Sequence, residues 1–155
     1  MSHRVYLDHH AATPIDPRVR AALAEPDALA WANPSSVHAE GRKSRALLER
    51  ARAQLAQAIG AADADVVWTS GGTEACNLGV HGMLAARERA HVVTTAVEHP
   101  AVAEPLRSLE QRGVIRVTRL ALPEGRAPEP DALLEALSER TALCALQWVN
   151  HETGT

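Results

Sequence analysis

The sequence is poor in cysteine and has no long apolar run. Its two cysteines, Cys76 and Cys144, form neither a disulfide framework nor a paired Cys-x-x-Cys site. No stretch approaches the roughly 20 apolar residues of a membrane-spanning helix, and the start has no apolar segment of signal-peptide length. We therefore expect a reducing, cytoplasmic setting with no membrane partner.

Basic residues are few and scattered, and the formal net charge is -3. No basic stripe with interleaved aromatic residues is present, which excludes nucleic acid as a main partner. Only one of the 16 basic residues is a lysine, Lys43. No His-Glu-x-x-His pattern or other metal-ligand spacing occurs, so we predict no metal site.

The pattern along the chain predicts an α/β fold. The 155 residues, 46% of them hydrophobic, suit one domain, which we place at residues 16–155 after an extended lead-in over 1–15. An N-cap at Asp16 starts one helix, and Gly60 ends a second, longer one. Short apolar runs then alternate with helices, and they predict strands at 65–69, 91–95, 114–118 and 142–149. This alternation implies a largely parallel sheet with helices on both faces.

Three polar groups follow predicted strands. They are Ser70-Gly71-Gly72-Thr73, Glu98-His99 and Asn150-His151-Glu152. Ligands of parallel α/β sheets bind beyond the carboxyl ends of the strands, so the topology places all three groups at one edge.

The first group, residues 70–73, has the chemistry of an anion site. Two glycines allow close approach of a ligand and a positive φ, the following helix offers free N–H groups, and Thr73 adds a hydroxyl. The same residues also fit a plain strand-to-helix turn, and the spacing is not that of a Walker loop. His99 could stack on a planar ligand or move protons, or it could simply cap a helix. Cys144, within an apolar run, is predicted to be a core residue.

Several motifs together resemble one enzyme family. They occur in family order across the whole chain: Tyr6-Leu7-Asp8 with Ala12-Thr13-Pro14, Asn33-Pro34-Ser35-Ser36 with His38 and Gly41, Thr69 to Glu74 with Asn77-Leu78, Glu98-His99, and Val149 to Gly154. The chain resembles the cysteine desulfurases among the class V aminotransferase-like, fold-type I enzymes that use pyridoxal 5'-phosphate. The resemblance implies the front part of a fold-type I large domain.

The resemblance also implies roles for individual residues. Gly72 and Thr73 would hold the cofactor phosphate, and His99 would stack on the pyridine ring and act as a catalytic acid–base group. The position of His151 is usually an asparagine that contacts the ring substituents. An imidazole can also donate to a phenolate oxygen, and Asn150 directly precedes it, so we predict cofactor contacts from both Asn150 and His151.

Other residues of the family would lie beyond Thr155. These are the Schiff-base lysine, the aspartate on the pyridinium nitrogen, the arginine that binds the substrate carboxylate and the loop cysteine that takes sulfur. Lys43 lies far along the chain from the strand ends, and Cys76 does not match the loop cysteine. We therefore expect this chain alone to be inactive and to need a C-terminal part or a partner chain, and the resemblance implies a homodimer.

Three functions stay open from the sequence. The first is part of an enzyme that removes sulfur from L-cysteine and leaves alanine. The second is another class V transaminase or lyase, which the unusual His151 motivates. The third is a non-catalytic binding module or a remnant, which the missing lysine motivates.

Overall fold

A computed structural model of the protein describes residues 5–123 and 126–155, without the side chains of residues 25–29. The chain divides into two compact units, Met1–Trp68 and Thr69–Thr155. The lead-in predicted over residues 1–15 and the domain predicted over 16–155 stay a prediction. No helix in the described ranges is both long enough and apolar enough to cross a membrane.

The first unit contains two helices, α1 (Pro17–Leu29) and α2 (Ala39–Ile59). The predicted cap of α1 is confirmed, because the Asp16 carboxylate accepts a hydrogen bond from the Arg18 N–H at 2.8 Å. His38 caps α2 by accepting from the Gly41 N–H at 3.2 Å. The predicted end of α2 is also confirmed, since Gly60 adopts the left-handed conformation with φ 70° that favours glycine at this position.

The second unit alternates helices and strands. Its elements are α3 (Gly72–Leu84), β1 (Ala90–Thr95), α4 (Pro100–Gln111), β2 (Ile115–Leu120), α5 (Pro130–Ala136) and β3 (Thr141–Ala145). The strands form a parallel sheet in the order β2-β1-β3, with Ala90 opposite Ile115 and His91 opposite Thr141. The predicted α/β class and the parallel sheet are therefore confirmed.

The core of this unit lies between the sheet and the helices α3 and α4. Val92 at the centre of β1 and Leu106 of α4 are fully buried, and they pack with five further buried residues: Val80, Leu84, Ala90, Leu109 and Ile115. Because β1 and β3 are parallel neighbours, their carboxyl ends at Thr95 and Ala145 lie at one edge of the sheet. The loops that leave this edge carry Glu98-His99 and Asn150-His151.

Two predictions about apolar segments are wrong. Within the described ranges, residues 66–69 pair with no strand, and the segment follows a short 3-10 helix at Asp63–Asp65. A strand needs a hydrogen-bonding neighbour, and here the side chain of Arg52 instead donates to the Val66 carbonyl and lies 5.6 Å over the Trp68 ring. Cys144 is exposed rather than buried in the core, since it lies on β3, an edge strand of the described sheet.

Candidate functional site

The turn Ser70-Gly71-Gly72-Thr73 leads directly into α3 and is open to solvent. Gly71 is extended, with φ 162°, and neither Gly71 nor Gly72 is in the left-handed region. A Cβ atom built on either glycine would meet no atom within 4 Å. The glycines therefore contribute open space in front of the helix, and neither uses the left-handed conformation that glycine allows.

Several hydrogen-bond donors of this turn have no acceptor within the described part of the chain. Among the described residues, no group accepts from the N–H groups of Gly72, Thr73 or Glu74, or from the Thr73 hydroxyl. Free N–H groups at the start of a helix favour an anion, and phosphate is the usual one. We call residues 70–73 the anion cup.

Glu74 shapes the anion cup from inside the first turn of α3. Its Oε2 accepts hydrogen bonds from the Ser70 N–H and the Ser70 hydroxyl, both at 2.6 Å. These bonds, above all the one from the hydroxyl, lower the pKa of the Glu74 carboxyl, so it is ionised at neutral pH. Glu74 therefore holds the turn in place and leaves the next N–H groups as the free donors.

Asn77 connects the anion cup to the start of α4. Its Nδ2 donates to the Thr73 carbonyl at 2.9 Å and to the Ala101 carbonyl at 3.4 Å. Residues four apart share a helix face, which places Asn77 behind Thr73. The first turns of α3 and α4 are therefore neighbours. Sequence reasoning quoted Asn77 only as part of a motif and missed this role.

His99 is the N-cap of α4. Its Nδ1 accepts a hydrogen bond from the Ala101 N–H at 3.1 Å, so the neutral ring carries its proton on Nε2. The capping role that sequence reasoning left open is present, while the side chain stays exposed. The ring lies beside that of His151, with centroids 5.3 Å apart and planes at 58°. The structure thus brings together two of the predicted site residues from different loops.

Asn150 is only 6% exposed, and its side chain is engaged within the protein. Its Nδ2 donates to the Val97 carbonyl at 3.2 Å, while its Oδ1 accepts from the Glu152 and Thr153 N–H groups at 3.0 and 2.8 Å. A direct contact between Asn150 and a cofactor stays a prediction. His151 is more exposed, and its Nε2 lies 3.9 Å from a Glu152 carboxylate oxygen.

Glu98 is a buried acidic residue that sequence reasoning named without a role. Its carboxylate accepts from the Thr95 hydroxyl at 2.7 Å. Glu98, Val97 and Asn150 border a largely apolar cavity of about 390 Å³. Although Cys144 is exposed, the partial desolvation of its thiol, and secondly the charge of Glu98, raises the pKa of that thiol, which argues against a reactive thiolate there. Within residues 5–123 and 126–155, no group of three or more His, Cys, Asp or Glu could hold a metal ion.

Comparisons with known proteins agree on one family. The family model described as aminotransferase class-V matches residues 5–155. A putative cysteine desulfurase of Bacillus subtilis (strain 168) is 40% identical over 154 residues, covering 98% of this chain and 40% of that protein. A selenocysteine lyase of Rattus norvegicus is 34% identical over 171 residues, covering 97% of this chain and 40% of that protein.

Solved structures give the same result. A NifS-like protein superposes with a TM-score of 0.87 at 28% identity, covering 99% of this chain and 42% of that chain. A structure described as SspA in complex with cysteine superposes with a TM-score of 0.85 at 30% identity, covering 97% of this chain and 44% of that chain. This chain thus spans about 40% of the length of these relatives and matches their N-terminal part.

Proposed function

The chain belongs to the aminotransferase class-V family, and we propose that it supplies the phosphate-binding and ring-stacking side of a pyridoxal-phosphate-dependent cysteine desulfurase. Enzymes of this family use pyridoxal 5'-phosphate. The observation that carries the proposal is the pairing of His99 and His151 at one sheet edge. The anion cup lies beside the start of α4, the helix that His99 caps. The cysteine desulfurase among the relatives supports the reaction.

The residues fit this cofactor in two respects. The free N–H groups of the anion cup and the Thr73 hydroxyl would bind its phosphate, and open space in front of Gly71 and Gly72 admits it. The exposed ring of His99 would stack on a pyridine ring. Bound pyridoxal phosphate supplies an electron sink for reactions at the α-carbon of an amino acid.

His99 has a defined proton arrangement for its proposed catalytic role. Because Nδ1 accepts from the Ala101 N–H, the neutral ring presents its Nε2–H as a hydrogen-bond donor, and a proton taken up at Nδ1 would replace this cap. The helix cap therefore orients the ring and selects its tautomer. His151 lies beside this ring and would donate to an oxygen substituent of the cofactor.

The remaining groups of the reaction would come from a second part. The only lysine is Lys43, at the start of α2, and we propose that it does not bind the cofactor. A C-terminal part or partner chain would supply the lysine, the aspartate, the arginine and the sulfur-accepting cysteine. We further propose a homodimer in a reducing, cytoplasmic setting, with L-cysteine as the substrate.

Binding of pyridoxal phosphate tests the first half of the proposal. Titration of the chain with pyridoxal phosphate, and with pyridoxal as the control without phosphate, should give saturable binding only for the former. Thr73→Val should weaken binding about ten- to a hundredfold, because one hydrogen bond to a charged group contributes roughly 1.5–3 kcal/mol. Thr73→Ser keeps the hydroxyl and should bind as the wild type does. Equal affinity of the Val and Ser variants would count against a phosphate site at Thr73.

Reconstitution tests the reaction itself. The chain is mixed with a polypeptide that corresponds to the remaining part of a cysteine desulfurase relative. Alanine and sulfide are measured after addition of L-cysteine together with dithiothreitol, a thiol reductant that releases the transferred sulfur as sulfide. Stoichiometric sulfide and alanine would support the desulfurase. Cofactor binding without any product would favour a non-catalytic binding module.

A different lyase or transaminase is the second candidate, and His151 favours it. The resemblance places an asparagine at this position, and one relative is a selenocysteine lyase. The same reconstituted mixture separates a transaminase from a desulfurase. A transaminase would consume one keto acid as the amino-group acceptor and form another keto acid, whereas a desulfurase neither consumes nor forms a keto acid. His151→Asn restores the asparagine that the resemblance implies. Faster sulfide release by this variant would show that the histidine at this position reduces desulfurase activity.

A further inference from the structure

Asn150 joins the two loops that carry the paired histidines. One end of its amide reaches Val97, two residues before His99, and the other end holds the residues just after His151. We propose that Asn150 is a positioning residue that holds the His151 ring against the His99 ring. The inference deepens the proposed function, on which its catalytic meaning rests.

The acceptor end of Asn150 builds a turn around His151. Its Oδ1 accepts from the Glu152 N–H, the Thr153 N–H and the Thr153 hydroxyl at 3.0, 2.8 and 3.1 Å. The Asn150 carbonyl accepts from the Gly154 N–H at 2.9 Å. Asparagine commonly closes such turns through its side chain. His151 is thus enclosed in a tight turn that limits where its ring can point.

The donor end of Asn150 fixes that turn to the loop after β1. The Val97 carbonyl accepts from the Asn150 Nδ2 at 3.2 Å and from the Gln147 Nε2 at 2.6 Å. The Val97 N–H in turn donates to the Thr95 hydroxyl at 3.4 Å, at the end of β1. The His99 loop is therefore anchored to the sheet independently of Asn150, whereas the His151 turn depends on the Asn150 amide.

Only an amide can both donate to the Val97 carbonyl and accept from the turn after His151. Substitution of Asn150 can therefore remove one of these two functions and keep the other. A carboxylate accepts but does not donate, so Asn150→Asp keeps the turn and loses the bond to Val97. Asn150→Ala loses both. Gln147→Ala removes the other bond to the same carbonyl and leaves the turn intact, which makes it the matched control.

The test is NMR spectroscopy of the full chain without cofactor, so it is independent of whether the proposed function holds. Ring centroids 5.3 Å apart should give a ring-to-ring NOE between His99 and His151, assigned with the His99→Ala and His151→Ala variants. We expect this NOE in the wild type and in Gln147→Ala, and its loss in both Asn150 variants, with the amide signals of Val92 and Val93 unchanged.

Two results would overturn the proposal. One is an NOE of wild-type intensity in Asn150→Asp, which would show that the bond to Val97 does not hold the pair. The other is loss of the Val92 and Val93 signals in Asn150→Asp, which would make Asn150 a residue of the fold rather than of the histidine pair. If Asn150→Ala loses the Val92 and Val93 signals and Asn150→Asp keeps them, the His99–His151 NOE in Asn150→Asp alone tests the proposal.

Discussion

Replacement of His99 should separate its role as a helix cap from its role as an aromatic ring. The ring contributes one hydrogen bond to α4, from the Ala101 N–H at 3.1 Å, while the Val102 and Ala103 N–H groups bond to the His99 backbone carbonyl and are unaffected by a substitution. His99→Ala should therefore lose one cap, about 1 kcal/mol of unfolding free energy. His99→Asn should lose almost none of it, since asparagine is a preferred cap.

The assay is urea unfolding followed by far-ultraviolet circular dichroism. A loss of about 1 kcal/mol changes the folding equilibrium constant roughly fivefold, which a shift of the midpoint resolves. The same variants are then titrated with pyridoxal phosphate. Both lack the ring, so both should bind about two- to tenfold more weakly if stacking contributes about 0.5–1.5 kcal/mol.

Two outcomes would refute this reasoning about His99. If His99→Asn were as unstable as His99→Ala, the cap would not be the source of the stability. If His99→Asn bound pyridoxal phosphate as tightly as the wild type, the ring would take no part in holding the cofactor. His99→Asn keeps the helix cap and removes the ring, so its urea midpoint reports on the cap and its affinity for pyridoxal phosphate reports on the ring.

Two further predictions concern the stability of each unit. Gly41→Ala should destabilise the first unit by about 1–3 kcal/mol, because a Cβ there would lie 2.4 Å from the Ser36 carbonyl oxygen; Gly79→Ala in α3 meets no atom within 4 Å and should leave thermal stability equal or higher. Hydrogen bonding by Arg119 lowers the pKa of Glu110, so this pair should stabilise the fold above the ordinary glutamate pKa of about 4.3 and lose that effect as the pH falls through the lower folded value. Both side chains are about a third or more exposed, so solvent screening limits the effect to less than about 1 kcal/mol. The urea midpoint of Arg119→Gln should therefore lie below that of the wild type at neutral pH and equal it near pH 2, and a difference that persists in acid would contradict this.

Local signals in the sequence predicted the helix boundaries well. Asp16 and Gly60 act through groups within a few residues of themselves, and both mark helix ends in the structure. The run at 65–69 was misassigned because a strand is defined by its neighbour, and no sequence window contains that neighbour. The exposure of Cys144 has the same origin, since an edge strand cannot be told from a central one by its own residues.

The candidate site was partly predictable for a topological reason. Loops after neighbouring parallel strands share one edge, so the convergence of His99 and His151 follows from the strand pattern. The direction of a side chain does not follow from the pattern. The amides of Asn77 and Asn150 turn toward carbonyls on other elements, and only the packed structure reveals that they connect the parts of the site.

The central claim is that the anion cup holds the phosphate of pyridoxal phosphate. The most direct measurement is the amide spectrum of the ¹⁵N-labelled chain during titration with pyridoxal phosphate and, separately, with pyridoxal. We expect the amide signals of Gly72, Thr73 and Glu74 to shift with pyridoxal phosphate and to stay in place with pyridoxal. Equal shifts with both compounds, or none with either, would contradict it.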